Sequence, residues 1–360
     1  MRLAFLLTQL EIGGAQTRVF ATAAELRRRG HEVDVVFLYE KRSCFLAEPK
    51  VILHQGARPS PAKLPGLLMK LRRFLTKGRY DVLVTNTAPA NVLGCSVGWL
   101  AGMKRRFAVQ TQPPQRLSKP LRLVDTLAGR LGVYTVNIAN SEWTRNCFSK
   151  YPAAYRKRMV VVKNGIAPPV SDASRAEARA SFGLSEDEFV VVNVGRLSPQ
   201  KDQTTLIAAM AGVSGRLLVA GEGELREDLE KQAEDAGIAK RVTLLGEMPR
   251  PRVADLFHAA DVFAFSSRWE TFGLALVEAA SMGLPLVVTD LDVSREVLGT
   301  DEASALFIQP GDAAGFTEAL QRVAADPALR EEMKQRSLKT AGYFTIERHV
   351  DRLLEVLQAS

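Results

Sequence analysis

The stretch Val191-Val192-Asn193-Val194-Gly195-Arg196-Leu197-Ser198, followed by Lys201 and an apolar run over 203–210, decides the fold. β-branched residues end on a glycine, a short polar loop follows, and a helical pattern begins just beyond it. Such a strand-to-helix handover is half of a βαβ unit, and these units build parallel sheets covered by helices on both faces. The alternation extends outward in both directions. Strand-like runs lie near 2–8, 33–38, 81–86, 107–111, 134–139 and 159–163, and again near 189–194, 216–220, 242–245, 262–265, 285–289 and 305–308. Helical patterns between them include 15–29, 176–182, 203–210 and 225–236. The pattern restarts after Asn164-Gly165-Ile166-Ala167-Pro168-Pro169, a stretch suited to a linker. With 360 residues, the expectation is an α/β chain of two doubly wound domains, 1–166 and 171–342. Ligands bind such sheets at the carboxyl ends of the strands, so two of them side by side would frame a central cleft.

Charge divides the chain. Residues 1–165 hold 28 Lys+Arg and 9 Asp+Glu, a net +19, and the remainder carries −11, giving +8 overall. A basic first half points to an anionic partner. Three widely spaced cysteines, Cys44, Cys95 and Cys147, suit neither a disulfide framework nor a zinc site and imply a reducing, cytoplasmic setting. Leu3-Ala4-Phe5-Leu6-Leu7 is too short for a signal-peptide core, and the apolar run 92–102 is too short to span a bilayer.

Arg196 and Lys201 leave a strand's carboxyl end beside a helix start, where two cations and backbone N–H groups suit a diphosphate. The same spacing also fits two surface cations near a loop. Glu270 and Glu278 flank Phe272-Gly273-Leu274, with the glycine opening a helix. Carboxylates beside an anion are costly unless sugar hydroxyls donate to them; either acid alone also reads as a helix cap. Gly221-Glu222-Gly223 begins like a dinucleotide turn, but Arg226 stands where the third glycine would be, so it is no hydride-transfer signature. Leu245-Gly246 ends another strand and could let a flat base lie against main chain. Gly13-Gly14 opens a helix after the first strand. Asp290 and Asp292, with no supporting histidines or acids, read as solvated loop acids, and no metal site is expected.

Together these motifs resemble the GT-B glycosyltransferases of family 4, the glycosyl transferases group 1, over nearly the whole chain. Asn164-Gly165-Ile166, Gly283-x-Pro285 and Arg295-Glu296 add to the match. The resemblance implies two Rossmann-like domains, the first binding an acceptor and the second a nucleotide-diphosphate sugar, with no other cofactor and no bound metal. A terminal helix within about 343–360 would pack back on the first domain. It implies that Arg196 and Lys201 hold the diphosphate, Glu270 the donor sugar's hydroxyls and Glu278 the ribose. Gly14, Gly195, Gly221, Glu222, Leu245, Gly246, Phe272, Gly273 and Leu274 would line the donor. Transfer with retention of configuration follows from the same likeness, as does a role in assembling cell-surface polysaccharide or glycolipid. Gln112 stands where many members carry a histidine, and Gln16 where a glutamate is common.

The segment 63–77 is a basic amphipathic pattern in which Leu67, Leu71, Phe74 and Leu75 share a face. With Lys70, Arg72, Arg73, Lys104, Arg105 and Arg106, with Arg116, Lys119 and Arg122 adding charge, and with Gln112, it suggests docking on an anionic inner membrane face near a glycan or lipid-linked acceptor. The apolar face could instead join the domain core. A nucleotide-sugar epimerase of the same architecture is an alternative enzyme, and a basic non-enzymatic binder a third. The chain lacks the aromatic clusters of nucleic-acid modules, so no nucleic-acid partner is expected.

Overall fold

A computed structural model describes residues 1–45, 47–299 and 304–359. The chain divides into two compact units, Met1–Ile166 with Ile346–Ser360, and Ala167–Thr345. Residue 360, the end of the expected tail, lies outside the described residues.

The first unit is built on a sheet of seven parallel strands: β1 (Arg2–Leu10), β2 (Glu32–Glu40), β3 (Val51–Ile52), β4 (Val82–Asn86), β5 (Arg106–Gln110), β6 (Val136–Ala139) and β7 (Met159–Val161). Their order is β3-β2-β1-β4-β5-β6-β7. Strands β4, β5 and β6 are buried along their whole length, as expected of parallel strands sandwiched between helix layers. The crossovers include α1 (Gly14–Arg28), α2 (Leu64–Gly78), α3 (Ala88–Leu100) and α4 (Lys119–Arg130). The second unit repeats the design in a six-stranded parallel sheet of order β10-β9-β8-β11-β12-β13. Its strands are β8 (Val190–Val194), β9 (Arg216–Ala220), β10 (Val242–Gly246), β11 (Val262–Phe265), β12 (Leu286–Thr289) and β13 (Leu306–Ile308). In both sheets the order reverses direction beside the first strand, between β1 and β4 and between β8 and β11. Loops leaving the two strands at such a switch point splay apart and open a crevice for a ligand. Two-residue β3 escaped the sequence reading, being too short to show a period.

α2 bears on the membrane expectation. Leu67, Leu71 and Leu75 are fully covered and belong to one core cluster with Leu6, Leu38 and Tyr80, while Phe74 stacks on Tyr80. The apolar face therefore serves the unit's own core, and the basic face, with Lys70, Arg72 and Arg73, meets solvent. Arg106 is corrected too. It is buried, with its guanidinium donating to the carbonyls of Val133 (2.7 Å), Gly132 (3.0 Å) and Met103, so it braces loops and is no surface cation. Lys104 is exposed and Arg105 half-buried.

The terminal helix Ile346–Gln358 lies against α1 with Ile346, Val350, Leu353 and Leu357 inward, and Arg29 bridges to Asp351 at 2.5 Å. Its buried His349 meets the Lys163 carbonyl through Nδ1 at 2.8 Å. Burial, and next the nearby charge of Arg18, push His349 down to about 4. The unfolded chain binds this proton more readily, so stability is intact above the ordinary pKa near 6.5 and is lost as pH falls toward 4. Relative to His349→Asn, the wild type should lose up to about 3 kcal/mol across that window. Parallel pH profiles of the two melting curves would contradict it.

Candidate active site

The second unit concentrates the predicted donor residues at the carboxyl edge of its sheet, around the β8/β11 switch point. Three loops are knitted there by backbone contact. Gly195 N–H donates to the Ala220 carbonyl (2.9 Å), Leu197 N–H to Glu222 (3.1 Å), and Gly221 N–H to Gly246 (2.8 Å). Glycine is required for this closeness. A Cβ on Gly221 would stand 2.0 Å from the Gly195 carbonyl oxygen, and one on Gly223 would stand 2.1 Å from that of Leu197. These are main-chain atoms that cannot rotate away. Gly223→Ala is therefore expected to cost about 1–3 kcal/mol by overpacking and to displace the loop. A melting temperature equal to wild type would contradict this. Glu222, expected against the donor, has its carboxylate in a fork with Arg226 (2.8 Å), the residue occupying the missing third glycine position. Leu245 is half-buried beside Gly246.

A second set of bonds draws the loop after β8 to the loop after β11. Arg268 N–H donates to the Gln200 carbonyl (2.8 Å), and the Ser266 hydroxyl donates to that of Lys201 (2.9 Å). The Arg268 guanidinium meets Asp202 at 3.0 Å. As a result the Lys201 ammonium lies directly on the Glu270 carboxylate, which also accepts from the Ser267 hydroxyl at 3.0 Å. Glu270 is buried and Lys201 nearly so, with the ammonium 5.4 Å from the centre of the Phe265 ring. Arg196 does not join them. It is exposed and pairs with Glu224 at 3.1 Å, so the two predicted cations leave the same loop but rest on different acids.

Gly273 follows in a left-handed conformation, φ 85°, which a side chain would strain, and caps the helix Leu274–Ser281. The first-turn N–H groups of a helix lack intrahelical partners and favour an anion. Phe272 is buried edge-on to Phe344, 5.4 Å between centroids, so only its main chain is placed to serve a ligand. Glu278 lies in the second turn. One of its oxygens, Oε1, accepts from Arg250 at 2.9 Å, and a second nitrogen of Arg250 donates to the carbonyl of Ala167 at 2.8 Å. Burial raises the Glu278 carboxyl above its usual range, and the Arg250 charge opposes that rise. The sequence reading missed Arg250. A signal existed: it is the first residue of the helix Arg250–Ala259, where the helix dipole disfavours a cation unless a carboxylate faces it. Asp290 is gripped by Arg295 at 2.5 and 2.8 Å, which holds its carboxyl below the usual range, while Asp292 opens the short helix Asp292–Leu298.

In the first unit, Gly14 is the exposed first residue of α1, and Gln16 turns inward to the Gln9 carbonyl at 3.0 Å. Gln112 is exposed just beyond the end of β5.

Two Rossmann-like units, each on its own parallel sheet, and in the second a glycine-knitted loop cluster, an ammonium and a helix start at the switch point, define the GT-B fold class. Comparison with known proteins gives the family. The profile described as Glycosyltransferase Family 4 matches residues 12–168, and that described as Glycosyl transferases group 1 matches 174–340. The chain belongs to this family and is a glycosyltransferase. Among its relatives, the UDP-Gal:alpha-D-GlcNAc-diphosphoundecaprenol alpha-1,3-galactosyltransferase of Escherichia coli is 27% identical over 80% of this chain and 78% of that one. The D-inositol 3-phosphate glycosyltransferase of Mycolicibacterium smegmatis is 28% identical over 96% of this chain and 86% of that one. In fold the chain is similar to Anabaena Alr3699/HepE, solved in complex with UDP and glucose, with a TM-score of 0.87 at 22% identity and full coverage of both chains. It is also similar to WaaG, a glycosyltransferase involved in lipopolysaccharide biosynthesis, with a TM-score of 0.80 at 18% identity, covering 99% and 100% of the two chains.

Proposed function

We propose that the protein transfers a hexosyl unit from a nucleotide-diphosphate sugar to a glycan or lipid-linked acceptor, with retention at the anomeric carbon and without a metal ion. The reaction would serve assembly of a cell-surface polysaccharide or glycolipid from the cytoplasmic side of the membrane. The observation that carries this reading is the Lys201–Glu270 pair beside the helix start at Gly273, with Glu278 one turn further on. A sugar diphosphate fits that order of groups. Lys201, Arg196 and the N–H groups after Gly273 meet the phosphates, Glu270 accepts from hydroxyls of the sugar, and Glu278 accepts from the ribose. The loops at Gly221 and Leu245-Gly246 offer main chain to the base. Uridine is the first base to test, because structures similar in fold hold UDP and UDP-glucose.

In the transfer the bond from the anomeric carbon to the diphosphate oxygen breaks, and the leaving electrons settle on the phosphate. The cations and helix dipole lower the energy of that charge as it develops. The acceptor hydroxyl attacks from the face the diphosphate leaves, and its proton passes to the departing phosphate oxygen. Gln112 then has no proton to take, and a histidine at its position is dispensable. The first unit, with Gln112 exposed just beyond β5, would hold the acceptor.

Thermal-shift screening with UDP, GDP and ADP identifies the base, since bound nucleotide raises the melting point by mass action. With the sugar donor and an acceptor, proton NMR of the product reads its anomeric configuration, and chelator should leave the rate unchanged. An inverted product, dependence on added metal, or conversion of the sugar with no acceptor present would each refute the corresponding part.

A further inference from the structure

Arg18, in the second turn of α1, is a buried cation without a counter-charge. Only 6% of it is exposed. Its guanidinium donates to Oδ1 of Asn86 at 2.5 Å, and among the described residues no carboxylate meets it. Burial alone pushes it down to about 10, with no neighbouring acid to draw it back. The only acid on α1, Glu25, lies two turns further along and is already held by Arg28 and Arg29, each at 2.7 Å. A guanidinium left alone in the interior is strongly unfavourable, so buried charges are paired with a protein acid or bind an ion.

Its buried neighbours are under-satisfied too. Asn86 ends β4, in register with Leu7 of β1, and so stands at the switch point of the first sheet. Its Oδ1 serves Arg18, while its Nδ2 is buried and bonded to nothing among the described residues. The next residue, Thr87, has φ 80°, a strained value for a β-branched side chain, and its hydroxyl meets that of Thr8 at 2.6 Å. Backbone strain of that kind clusters at ligand sites. His349, from the terminal helix, is near enough for the Arg18 charge to depress it. A carbonyl only accepts, so His349 Nδ1 carries the proton toward Lys163, and its Nε2 is buried without a partner. Three elements thus turn under-satisfied nitrogens toward one guanidinium.

We propose that the first unit binds an oxyanion, a phosphate or a carboxylate, at this switch point, held by the Arg18 guanidinium and the Asn86 side-chain amide. The two groups offer N–H donors side by side, which suits the several oxygens of such an anion. A water molecule would satisfy Asn86 but leave the Arg18 charge unanswered. Ligands of doubly wound sheets sit at this edge. The anion would also set the state of His349. Neutralising Arg18 removes one of the two causes that hold His349 low, so it should titrate higher with the anion bound, and protonated Nε2 becomes a further donor. Of the charged groups on α1, Arg18 faces His349. Arg28 and Arg29, further along, are neutralised by Glu25 and Asp351, and the segment after β7 presents the Lys163 carbonyl. The oxyanion is either a group carried by the acceptor or a free ion. Arg18, Asn86 and His349 lie outside the donor set named above, so anion binding is measurable without transfer.

Melting curves and calorimetric titration of the full chain with sulfate, at fixed ionic strength, test it. Sulfate should raise the melting temperature saturably, by mass action. Arg18→Met should weaken sulfate binding on the order of tenfold or more, as loss of a charged donor does. An apolar side chain of similar volume in place of a buried charge lets the variant fold. Asn86→Asp places a carboxylate beside Arg18 from within the chain. It should melt higher than wild type without sulfate and no longer respond to sulfate. Lys70→Gln/Arg72→Gln, on the exposed face of α2, should respond like wild type. In proton NMR, sulfate and Arg18→Met should each raise the His349 pKa, and sulfate should add nothing in the variant. Inorganic phosphate and glucose 6-phosphate separate the two sources: tighter binding of the sugar phosphate gives the anion to the acceptor, tighter binding of the free ion makes it a resident ion, and both keep the site. No saturable response in the wild type, or an unchanged response in Arg18→Met or Asn86→Asp, would overturn the assignment. So would a sulfate response that saturating UDP removes, which would give the anion to the donor's phosphates.

Discussion

Lys201→Ala is expected to reduce kcat by about 10²–10³ while the fold survives, a loss typical of removing one group aimed at developing charge. The ammonium is positioned by loops at both sides of the switch point and not by its own flexible stem. The Ser266 hydroxyl holds the Lys201 carbonyl, Arg268 spans to Asp202, and the side chain's methylenes lie 3.3–3.4 Å from where a Gly195 Cβ would project. Without ligand, the charge rests on Glu270. On the proposed reading, an arriving diphosphate would give the ammonium a second anion, with Glu270 keeping it in place and turning its remaining capacity to sugar hydroxyls. Deleting the lysine removes stabilisation that grows as the leaving group takes up charge, so turnover suffers more than donor binding. It also strands the buried Glu270 with only the Ser267 hydroxyl donating to it, and some loss of melting temperature accompanies the kinetic effect. Lys201→Arg keeps charge but not the compact geometry, and should recover only part of the rate. A Lys201→Ala enzyme with kcat within threefold of wild type would remove this residue from the site.

Much of this site was legible because glycines and strand ends are local signals. The run from Val191 to Ser198 announces a strand, its end and the loop that leaves it, and the structure ends β8 at Val194. Gly221, Gly223 and Gly273 are visible for the same reason, since the backbone there has few alternatives. Side-chain direction was not legible. Arg196 and Lys201 stand five positions apart in one loop, yet contacts from Glu224 and Glu270, distant in sequence, separate them. Arg106 reads as one of three consecutive surface cations, but carbonyls 26 and 27 residues away bury it. The orientation of α2 and α4 has the same origin. Both are basic and amphipathic. What decides their orientation is a partner surface: a leucine-lined core over α2, and two tyrosine hydroxyls that draw Asp125 of α4 inward.

Arg250→Gln should weaken binding of UDP roughly tenfold or more, yet scarcely change binding of 2′,3′-dideoxy-UDP. The expectation follows from how Glu278 is held. A carboxylate accepts two ribose hydroxyls well only when ionised and correctly turned, and hydrogen bonds to a charged acceptor are worth about 1.5–3 kcal/mol. Glu278 sits where burial favours the protonated form, and Arg250 is the charge that opposes this. Arg250 occupies only Oε1, leaving Oε2 to meet a ligand, and its grip on the Ala167 carbonyl fixes the guanidinium itself. Remove the guanidinium and the Glu278 pKa moves further up, so nucleotide affinity should fall at a higher pH than in the wild type. The direction follows because the ionised form binds and the variant reaches it only in less acidic solution. A purely structural loss would weaken both nucleotides alike and leave the pH profile in place. If the wild type itself fails to distinguish UDP from the dideoxy compound, Glu278 does not hold the ribose. If it distinguishes them and Arg250→Gln still does so equally well, Glu278 needs no help from Arg250.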